Sequence, residues 1–519
     1  MLPQDHVYIE HTEHAEYPKL PFNPPKNYPE WEDEETDSSN QIYEAVRNML
    51  RRFELDSENE GTEKWNPFKG LISPGDNVMI KPNLVFHKHP MDHGVESMVS
   101  HGSVIRPLVE YAWKAMKGKG EITIGDVPLQ TADWDSIMED TGIEKMAHYL
   151  RTEKDINVNV LDLRLERAIS NRFGVVYKRQ HYHGDPKGYV AVDIGKDSML
   201  MPVIDQKESF TITDYPKRTV EKHHNEKVNE YLVPKTILES NVFINVPKLK
   251  THKKAGVTLS MKNLIGINGD KSWIAHHREG SVEKGGDEFP NIKKMDLFKF
   301  RLYEGLKNNK LGVWVLSGIL AAVRVVAWLQ RRVQKMRKPQ EKAKTVMQFE
   351  SITEGSWYGN DTLWRVILDL NRILYYADEH GKIQDKPQRK YLTIIDGIWG
   401  GERNGPMHHI PKQANVLVGG FSPVLVDVVS ANLMGFDHNK IPKLKKALTM
   451  EYKFPIVPHT LDELKVVENG HTRDFATWSK SDTFSFLPAT SWEGHIEHDH
   501  RHTEEETKDI QEMLEIGGE

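Results

Sequence analysis

The chain contains no cysteine among its 519 residues. It therefore forms no disulfide and has no thiolate with which to ligate an iron–sulphur cluster in the usual way. It also lacks a G-x-G-x-x-G fingerprint and a G-x-x-x-x-G-K-S/T phosphate loop, the usual sequence evidence for dinucleotide or nucleoside-triphosphate binding. The formal net charge of −7 gives no general attraction to nucleic acid, so we expect no nucleic-acid partner and only a local basic site.

The amino-terminal region lacks an apolar segment of the kind that a secretory signal needs. Its first forty residues are polar and acidic, and the proline-rich stretch 18–29 predicts an extended arm. Together with the absence of cysteine, this composition predicts a cytoplasmic protein.

Strand-like and helix-like segments alternate along much of the chain, which predicts an α/β fold: a mostly parallel sheet with helices on both faces. An irregular β-rich insertion and a hydrophobic helical insertion interrupt it. Strands are predicted at 77–80, 121–125, 242–246, 391–395 and 416–418, and helices at 42–53, 101–116 and 422–434. Ser103 is a candidate N-cap for the second helix, and Pro423 is well placed at the start of the third.

Composition and pattern divide the chain into seven predicted segments. They are an extended polar arm (1–40), a first α/β part (41–150), a β-rich insertion (151–235), a central region (236–300), a hydrophobic and basic helical insertion (301–345), a second α/β part (346–450), and a carboxyl-terminal extension with a histidine-rich acidic tail (451–519).

The run N-V-P-K-L-K-T-H-K-K-A-G-V-T-L-S-M-K-N-L-I-G at 245–266, which we call the signature segment, concentrates cations, hydroxyls and amides just after a predicted strand. Pro247 and Gly256 predict an irregular loop at the carboxyl end of that strand, where open α/β sheets place ligands. Such donors suit an anionic ligand because each supplies a charge-assisted hydrogen bond. The alternative is a solvated basic loop. The predicted anion-binding residues, which include two from an earlier strand end, are Lys81, Asn83, Lys248, Lys250, Thr251, Ser260 and Asn263.

Carboxylates follow other predicted strands, and parallel strands would bring them to the same edge of the sheet. Asp126 and Asp396 are candidates for acid–base or metal chemistry, although an aspartate at a strand end also caps helices. Asp427 lies among valines on a predicted helix, so we expect it to be buried with either a metal ion or a structural N–H or lysine partner.

The signature segment resembles the K-x-K-T-H…G-x-T-x-x-x-K-N-L-x-G stretch of the domain-of-unknown-function 362 family. Three further segments match: 80–84 (I-K-P-N-L), 124–128 (I-G-D-V-P), and 395–397 (I-D-G) with 426–429 (V-D-V-V). The resemblance covers roughly residues 70–440 and implies no particular activity. Many relatives carry a ferredoxin-like iron–sulphur module, and this cysteine-free chain departs from them there, so their redox roles are not carried over.

The pair His252 and Lys262, ten positions apart, is also similar to a pattern in the nickel-pincer lactate racemase family. In that family the lysine carries the pincer nucleotide and a later histidine binds nickel. By resemblance, His276 or His277 would be the metal ligand here. The similarity implies a shared fold before it implies a shared cofactor.

Residues 311–329 form a nineteen-residue apolar run with a single charge, Arg324, and a strongly basic stretch follows at 331–344. A single membrane crossing there would separate the signature segment from the Asp396 strand. We therefore expect residues 311–338 to lie as a helix on an anionic membrane surface, which would make the protein peripheral at the inner membrane. The alternatives are a buried core helix or a subunit interface in a homodimer.

Two histidine groups remain. The tail residues His495, His498, His500 and His502 are expected to be solvated, and His408 and His409 are expected near the cleft or simply exposed.

The sequence thus favours an enzyme that acts on an anionic, phosphorylated or carboxylated small molecule by acid–base or isomerase- and racemase-like chemistry. Its predicted catalytic residues are Asp126, His252, Lys262 and Asp396, with a divalent metal at His276, His277 or Asp427 as an option. The alternative is a non-catalytic anion-binding or scaffold protein docked at the membrane surface.

Overall fold

The computed structural model describes residues 2–171, 176–204, 209–213, 215, 217–290, 354–457, 459–478 and 483–498, together with the isolated positions 312, 315 and 318. The predicted hydrophobic insertion is therefore almost entirely outside the described residues, as are His500 and His502.

The strands are β1 (His6–His11), β2 (Asn77–Pro82), β3 (Glu121–Asp126), β4 (Val158–Asp162), β5 (Glu166–Ser170), β6 (Val176–His181), β7 (Tyr189–Asp193), β8 (Phe210–Thr211), β9 (Glu230–Pro234), β10 (Val242–Val246), β11 (Lys248–His252), β12 (Gly256–Val257), β13 (His277–Arg278), β14 (Lys390–Asn404), β15 (His408–Gly420), β16 (Lys465–Glu468) and β17 (His471–Asp474).

The α-helices of the described residues are α1 (Gln41–Arg52), α2 (Gly102–Met116), α3 (Trp134–Thr141), α4 (Ile143–Glu153), α5 (Met201–Ile204), α6 (Lys217–Glu221), α7 (Lys235–Leu238), α8 (Leu259–Asn263), α9 (Leu363–Tyr376), α10 (Pro423–Leu433) and α11 (Pro442–Thr449).

One large sheet organises the protein, with the strand order β17-β16-β1-β15-β14-β10-β2-β3-β4. The five strands from β14 to β4 are parallel to one another. At the other end β15 is antiparallel to both β14 and β1. The α/β fold with a mostly parallel sheet is thus confirmed.

Helices cover both faces of the sheet. Because side chains alternate along each strand, neighbouring residues of one strand pack on opposite faces. Val78 and Ile80 of β2 pack on the face that carries α1, α2 and α4, whereas Met79 between them belongs to the core formed with α9 and α10. β10 repeats this pattern, with Ile244 on the first face and Phe243 on the second.

The strand order reverses beside β2. From β2 the chain proceeds to β3 and then β4 on one side, and it later returns to place β10 and then β14 on the other side. In open α/β sheets, ligands bind outside the carboxyl ends of the strands at such a reversal. Here that position is the carboxyl edge of β2 and β10, which Lys81 and Asn245 occupy as register partners.

Several segments differ from their predicted form because tertiary pairing supplied partners that local patterns did not reveal. The signature segment is not an irregular loop, since residues 248–252 form β11, a buried strand that pairs with the long β14. The amino-terminal segment is not a detached arm, since β1 lies inside the sheet between β15 and β16. Within the predicted insertion 151–235, β4 belongs to the main sheet, while β5 to β9 form smaller pairs.

The helix predictions are accurate to one or two residues. Ser422 caps α10, with its side chain accepting from Leu425 N. At α2 the cap is His101 rather than Ser103: the imidazole of His101 accepts from the backbone N–H of Ser103. Among the helices of the described residues, none is both long and apolar enough to cross a membrane.

Candidate functional site

The carboxyl edge of the parallel strands brings three predicted site residues, Lys81, Asp126 and Asp396, to one level. Lys81 is the next-to-last residue of β2, and Asp126 ends the neighbouring β3. Asn245 is the register partner of both Lys81 and Thr393, three residues before Asp396. The carboxyl ends of β2, β3 and β10 thus share one edge of the sheet, as predicted. Asp396 does not follow a strand end: it lies inside β14, which continues to Asn404 because it pairs with β11 and β15.

Lys81 and Asp126 form a buried ion pair, with Nζ 2.7 Å from Oδ1. Asp126 also accepts the backbone N–H groups of Leu84 at 2.7 Å and of Val127 at 2.8 Å. Gly266, which ends the signature segment, packs directly on this pair: a Cβ there would lie 2.2 Å from the Asp126 carboxylate. A larger residue at 266 would displace the pair, which explains why the segment ends in glycine.

Asp396 lies in a second buried group, formed around Lys248. The Lys248 Nζ is 3.0 Å from Asp396 Oδ2 and donates to the Tyr17 hydroxyl at 2.6 Å. Tyr17 in turn donates to Asp396 at 2.8 Å, and His101 stacks on its ring at 4.0 Å. Burial, with the nearby Lys248 charge, lowers the pKa of His101 to about 3, so its imidazole is neutral. Tyr17 was not among the predicted site residues, because it lies in a polar stretch 379 residues from Asp396.

Other signature residues hold the backbone in place. Lys250 is fully buried in β11 and donates to the carbonyl oxygen of Met98, while Thr251 Oγ1 donates to the Arg403 carbonyl at 2.6 Å. His409 is also buried, contrary to the exposed alternative, and its Nε2 lies 3.1 Å from the Thr251 carbonyl oxygen.

A network of side-chain amides joins α8, the helix within the signature segment, to the ends of β2 and β10. Asn83 donates to the side chain of Asn263 at 2.8 Å, and Asn263 donates to that of Asn245 at 2.7 Å. The Ser260 hydroxyl accepts from Thr393 at 3.1 Å. These donors are directed at protein groups, so their first role is to fix α8 against β2, β10 and β14.

Asp427 holds the start of α8. Its two carboxylate oxygens accept the backbone N–H groups of Ser260 at 2.6 Å and Met261 at 3.0 Å, and Lys443 Nζ lies 3.4 Å away. Of the two alternatives for Asp427, a metal ion or a structural partner, the described residues provide the second, with both N–H groups and a lysine. They secure a strained turn, because Leu259 has a φ of +53°, in the left-handed region that non-glycine residues rarely adopt.

A group of cationic side chains surrounds Lys262, and we call it the Lys262 cluster. It consists of Lys81, Lys250, Lys254, Lys262, Lys271 and Lys443 with His252 and His276. Two buried carboxylates are bonded within it, Asp126 to Lys81 and Asp427 to Lys443. Because the amines outnumber these carboxylates, the cluster holds an excess of positive charge.

That excess opposes protonation of its members. Lys262 is partly buried, and its pKa is lowered to about 7 by burial and by four neighbouring amines: Lys271, Lys443, Lys81 and Lys254. Burial likewise lowers the pKa of Lys271 to about 7, despite the opposing effect of Asp126. Lys271 and Lys443 were not predicted, because isolated lysines carry no sequence signal of their position in space.

The cluster histidines are neutral for the same reasons. Burial, followed by the charges of Lys262, Lys250 and Lys254, holds the pKa of His252 well below its ordinary value. The Nδ1 of His252 accepts the backbone N–H of Lys254 at 3.1 Å. A neutral imidazole that accepts at Nδ1 carries its proton on Nε2, so His252 is a hydrogen-bond donor there.

The histidines proposed as metal ligands do not form a metal centre with the described residues. Within those parts of the chain, no group of three or more His, Asp or Glu side chains could hold a metal ion. His277 Nε2 has Glu288 at 3.7 Å, and the Nδ1 atoms of His276 and His277 are buried without a hydrogen-bond partner.

The sequence as a whole matches the family model described as "Domain of unknown function (DUF362)" over residues 78–186 and 195–432. The chain belongs to this family. The matched residues include the Lys81–Asp126 and Lys248–Asp396 ion pairs and the whole signature segment. Comparisons with curated proteins and with solved structures found no match.

The structure thus sorts the predicted residues into two groups. Around Lys262 it brings together Lys81, Lys250, His252 and His276, with Asp126 bonded to Lys81. Lys248 and Asp396 form the separate group with Tyr17, while Thr251, Ser260 and Asn263 bond to the protein itself. His495 is exposed, as expected, but it lies on a segment (483–498) that packs on the fold, where its ring stacks on Tyr358 at 3.5 Å.

The bonds of Asp427 generate a first prediction. Asp427→Asn should lower the free energy of unfolding by about 3–5 kcal/mol, because it leaves Lys443 without its charged partner and weakens the hold on α8. Denaturant unfolding measures the loss, and the double variant Asp427→Asn with Lys443→Met should recover part of it. Unchanged stability, with loss of a bound metal, would instead assign Asp427 to a metal site.

The lowered lysine pKa values generate a second prediction, on pH. Between about pH 7 and the ordinary lysine range, the unfolded chain binds more protons than the folded one, so these lysines make stability rise with pH. Each of the two lysines contributes at most about 1.4 kcal/mol per pH unit to this rise in the free energy of unfolding. Lys262→Met and Lys271→Met should therefore stabilise the protein most near pH 7 and progressively less towards pH 10. Variant and wild-type stability curves that run parallel would contradict the assigned pKa values.

Proposed function

We propose that this protein is an enzyme that binds a phosphorylated or carboxylated small molecule at the Lys262 cluster. The observation that carries the proposal is the excess of buried amines over carboxylates at the carboxyl edge of the sheet. Cations held close together in a poorly solvated site repel one another, and an anion that enters relieves this repulsion. Binding should therefore raise the pKa of Lys262 and Lys271 and take up protons.

The position of the cluster supports the same proposal. Lys81 lies where the strand order reverses, the usual ligand position in an open α/β sheet. Lys262 is partly exposed, whereas Lys81, Lys250 and Lys443 are buried and bonded to protein groups. In this arrangement Lys262 contacts the anion, and the buried lysines supply a favourable field without touching it.

The proposed chemistry is proton transfer next to the anionic group, as in an isomerase or racemase. An amine with a pKa of about 7 exists in both protonation states at neutral pH, which suits Lys262 to acid–base work. The Nε2–H group of His252 would donate to the bound anion. Asp126 and Asp396 act through the lysines that they bond, since Asp126 holds Lys81 and Asp396 holds Lys248. The alternative function is a non-catalytic anion sensor, which turnover by the purified protein would exclude.

The anion site is tested by Lys262→Ala, with Lys253→Ala as the matched control from the same segment. Inorganic phosphate, pyrophosphate, citrate and pyruvate should each be screened for thermal stabilisation of the wild type. We expect at least one of these anions to raise the melting temperature of the wild type and of the Lys253 variant but not of the Lys262 variant. A variant that is stabilised as much as the wild type would refute the site.

We also propose that residues 311–338 dock the protein on the inner face of an anionic membrane, on the evidence of their sequence. A segment that lies on the surface keeps β10 and β14 on one side of the bilayer, as their pairing in one sheet requires. The nineteen-residue apolar run would enter the interface, and the basic stretch after it would contact lipid headgroups.

The test of docking is co-sedimentation with liposomes that contain anionic lipid. Replacing Arg331, Arg332, Lys335 and Arg337 by Gln should weaken binding on the order of several hundred-fold, since each cation contributes about 1 kcal/mol near such a surface. High salt should weaken wild-type binding only in part, because apolar contacts are not screened. If the wild type ignores liposomes but forms a dimer that deletion of 311–338 breaks, the segment is a subunit interface.

A further inference from the structure

Four buried amines of the Lys262 cluster have bonded partners. Lys81 and Lys443 are paired with carboxylates, Lys250 donates to the Met98 carbonyl, and Lys271 donates to the Ile265 carbonyl at 2.9 Å. Lys262 is partly exposed, and among the described residues no hydrogen-bond acceptor or carboxylate is bonded to its Nζ.

The protonated amine of Lys262 contacts an anion, and its neutral form is a nucleophile. A charged group that is partly desolvated and surrounded by like charges loses its proton more easily. The neutral amine so produced has a free lone pair, and neighbouring cations are one of the ways in which proteins activate lysine. The same cations would hold an anionic group of the substrate close to it.

We propose that Lys262 forms an imine with the carbonyl carbon of a substrate that also bears a carboxylate or phosphate, such as a 2-oxo acid or a phosphorylated aldehyde. This inference rests on the proposed anion site and names the class of substrate that it takes. The imine would act as an electron sink for bond changes at the adjacent carbon, which is consistent with the proposed isomerase- or racemase-like reaction.

The step balances without a further reactant. The neutral Nζ attacks the carbonyl carbon and the C=O π bond breaks. The oxygen takes a proton and the nitrogen gives one up, which leaves a neutral carbinolamine. The hydroxyl then takes a proton and leaves as water while the nitrogen loses its second proton and forms the C=N bond, so that one amine and one carbonyl give one imine and one water. Lys271, a neighbour of Lys262 with a pKa of about 7, donates and takes back these protons. Hydrolysis reverses the sequence and frees Lys262.

The test is reductive trapping with cyanoborohydride at neutral pH, followed by peptide mapping by mass spectrometry. The two probes are glyoxylate, an aldehyde with a carboxylate group, and glycolaldehyde phosphate, an aldehyde with a phosphate group. Uncharged glycolaldehyde is their control. We expect one of the two anionic probes to modify Lys262 as the dominant site. Glycolaldehyde should modify exposed lysines without this preference.

Two arginine variants complete the design. Lys262→Arg keeps a cation but cannot form an imine, so it should lose the adduct while retaining stabilisation by inorganic anions. Lys253→Arg should keep both properties. If anions stabilise the wild type but neither probe labels Lys262 above the exposed lysines, the imine is refuted and the anion site stands. If no anion stabilises the wild type and Lys262 is unlabelled, the proposed function fails as well.

Discussion

Burial of several amines at one edge of a parallel sheet, with too few carboxylates to match them, is the constraint on which the rest of the site depends. Each buried cation needs a partner, since an uncompensated charge in a poorly solvated interior is costly. Asp126 and Asp427 meet this need for Lys81 and Lys443, and main-chain carbonyls meet it for Lys250 and Lys271. Among the described residues no group is bonded to the amine of Lys262, which is why the proposed ligand and chemistry both centre on it.

The same bonds also determine the backbone. Asp427 joins α10 to the start of α8 and holds Leu259 in a left-handed conformation. Gly266 allows the end of the signature segment to rest on the Lys81 ion pair. Because these contacts link helices and strands that are far apart in sequence, a change in the charge of one carboxylate should alter both the stability of the fold and the position of Lys262.

The fold class and the carboxyl ends of β2, β3 and β10 could be predicted because they depend on short-range patterns. Short apolar stretches located these three strands, and Ser422-Pro423 located the start of α10. The insertion boundaries and the form of the signature segment could not be predicted in this way. Pro247 and Gly256 suggested a loop, but pairing with β14 gives 248–252 a strand partner that only the folded chain provides.

The sequence by itself determined which chemical groups are available: no thiols, a segment dense in lysine, and aspartates at the ends of strands. These follow from composition and from local order along the chain. Only the tertiary structure decided which groups meet, because Tyr17, Lys271 and Lys443 come from distant parts of the chain and the distances between charges depend on packing. It also decided which lysines are charged, since burial and neighbouring cations, rather than residue type, lower the pKa of Lys262 and Lys271.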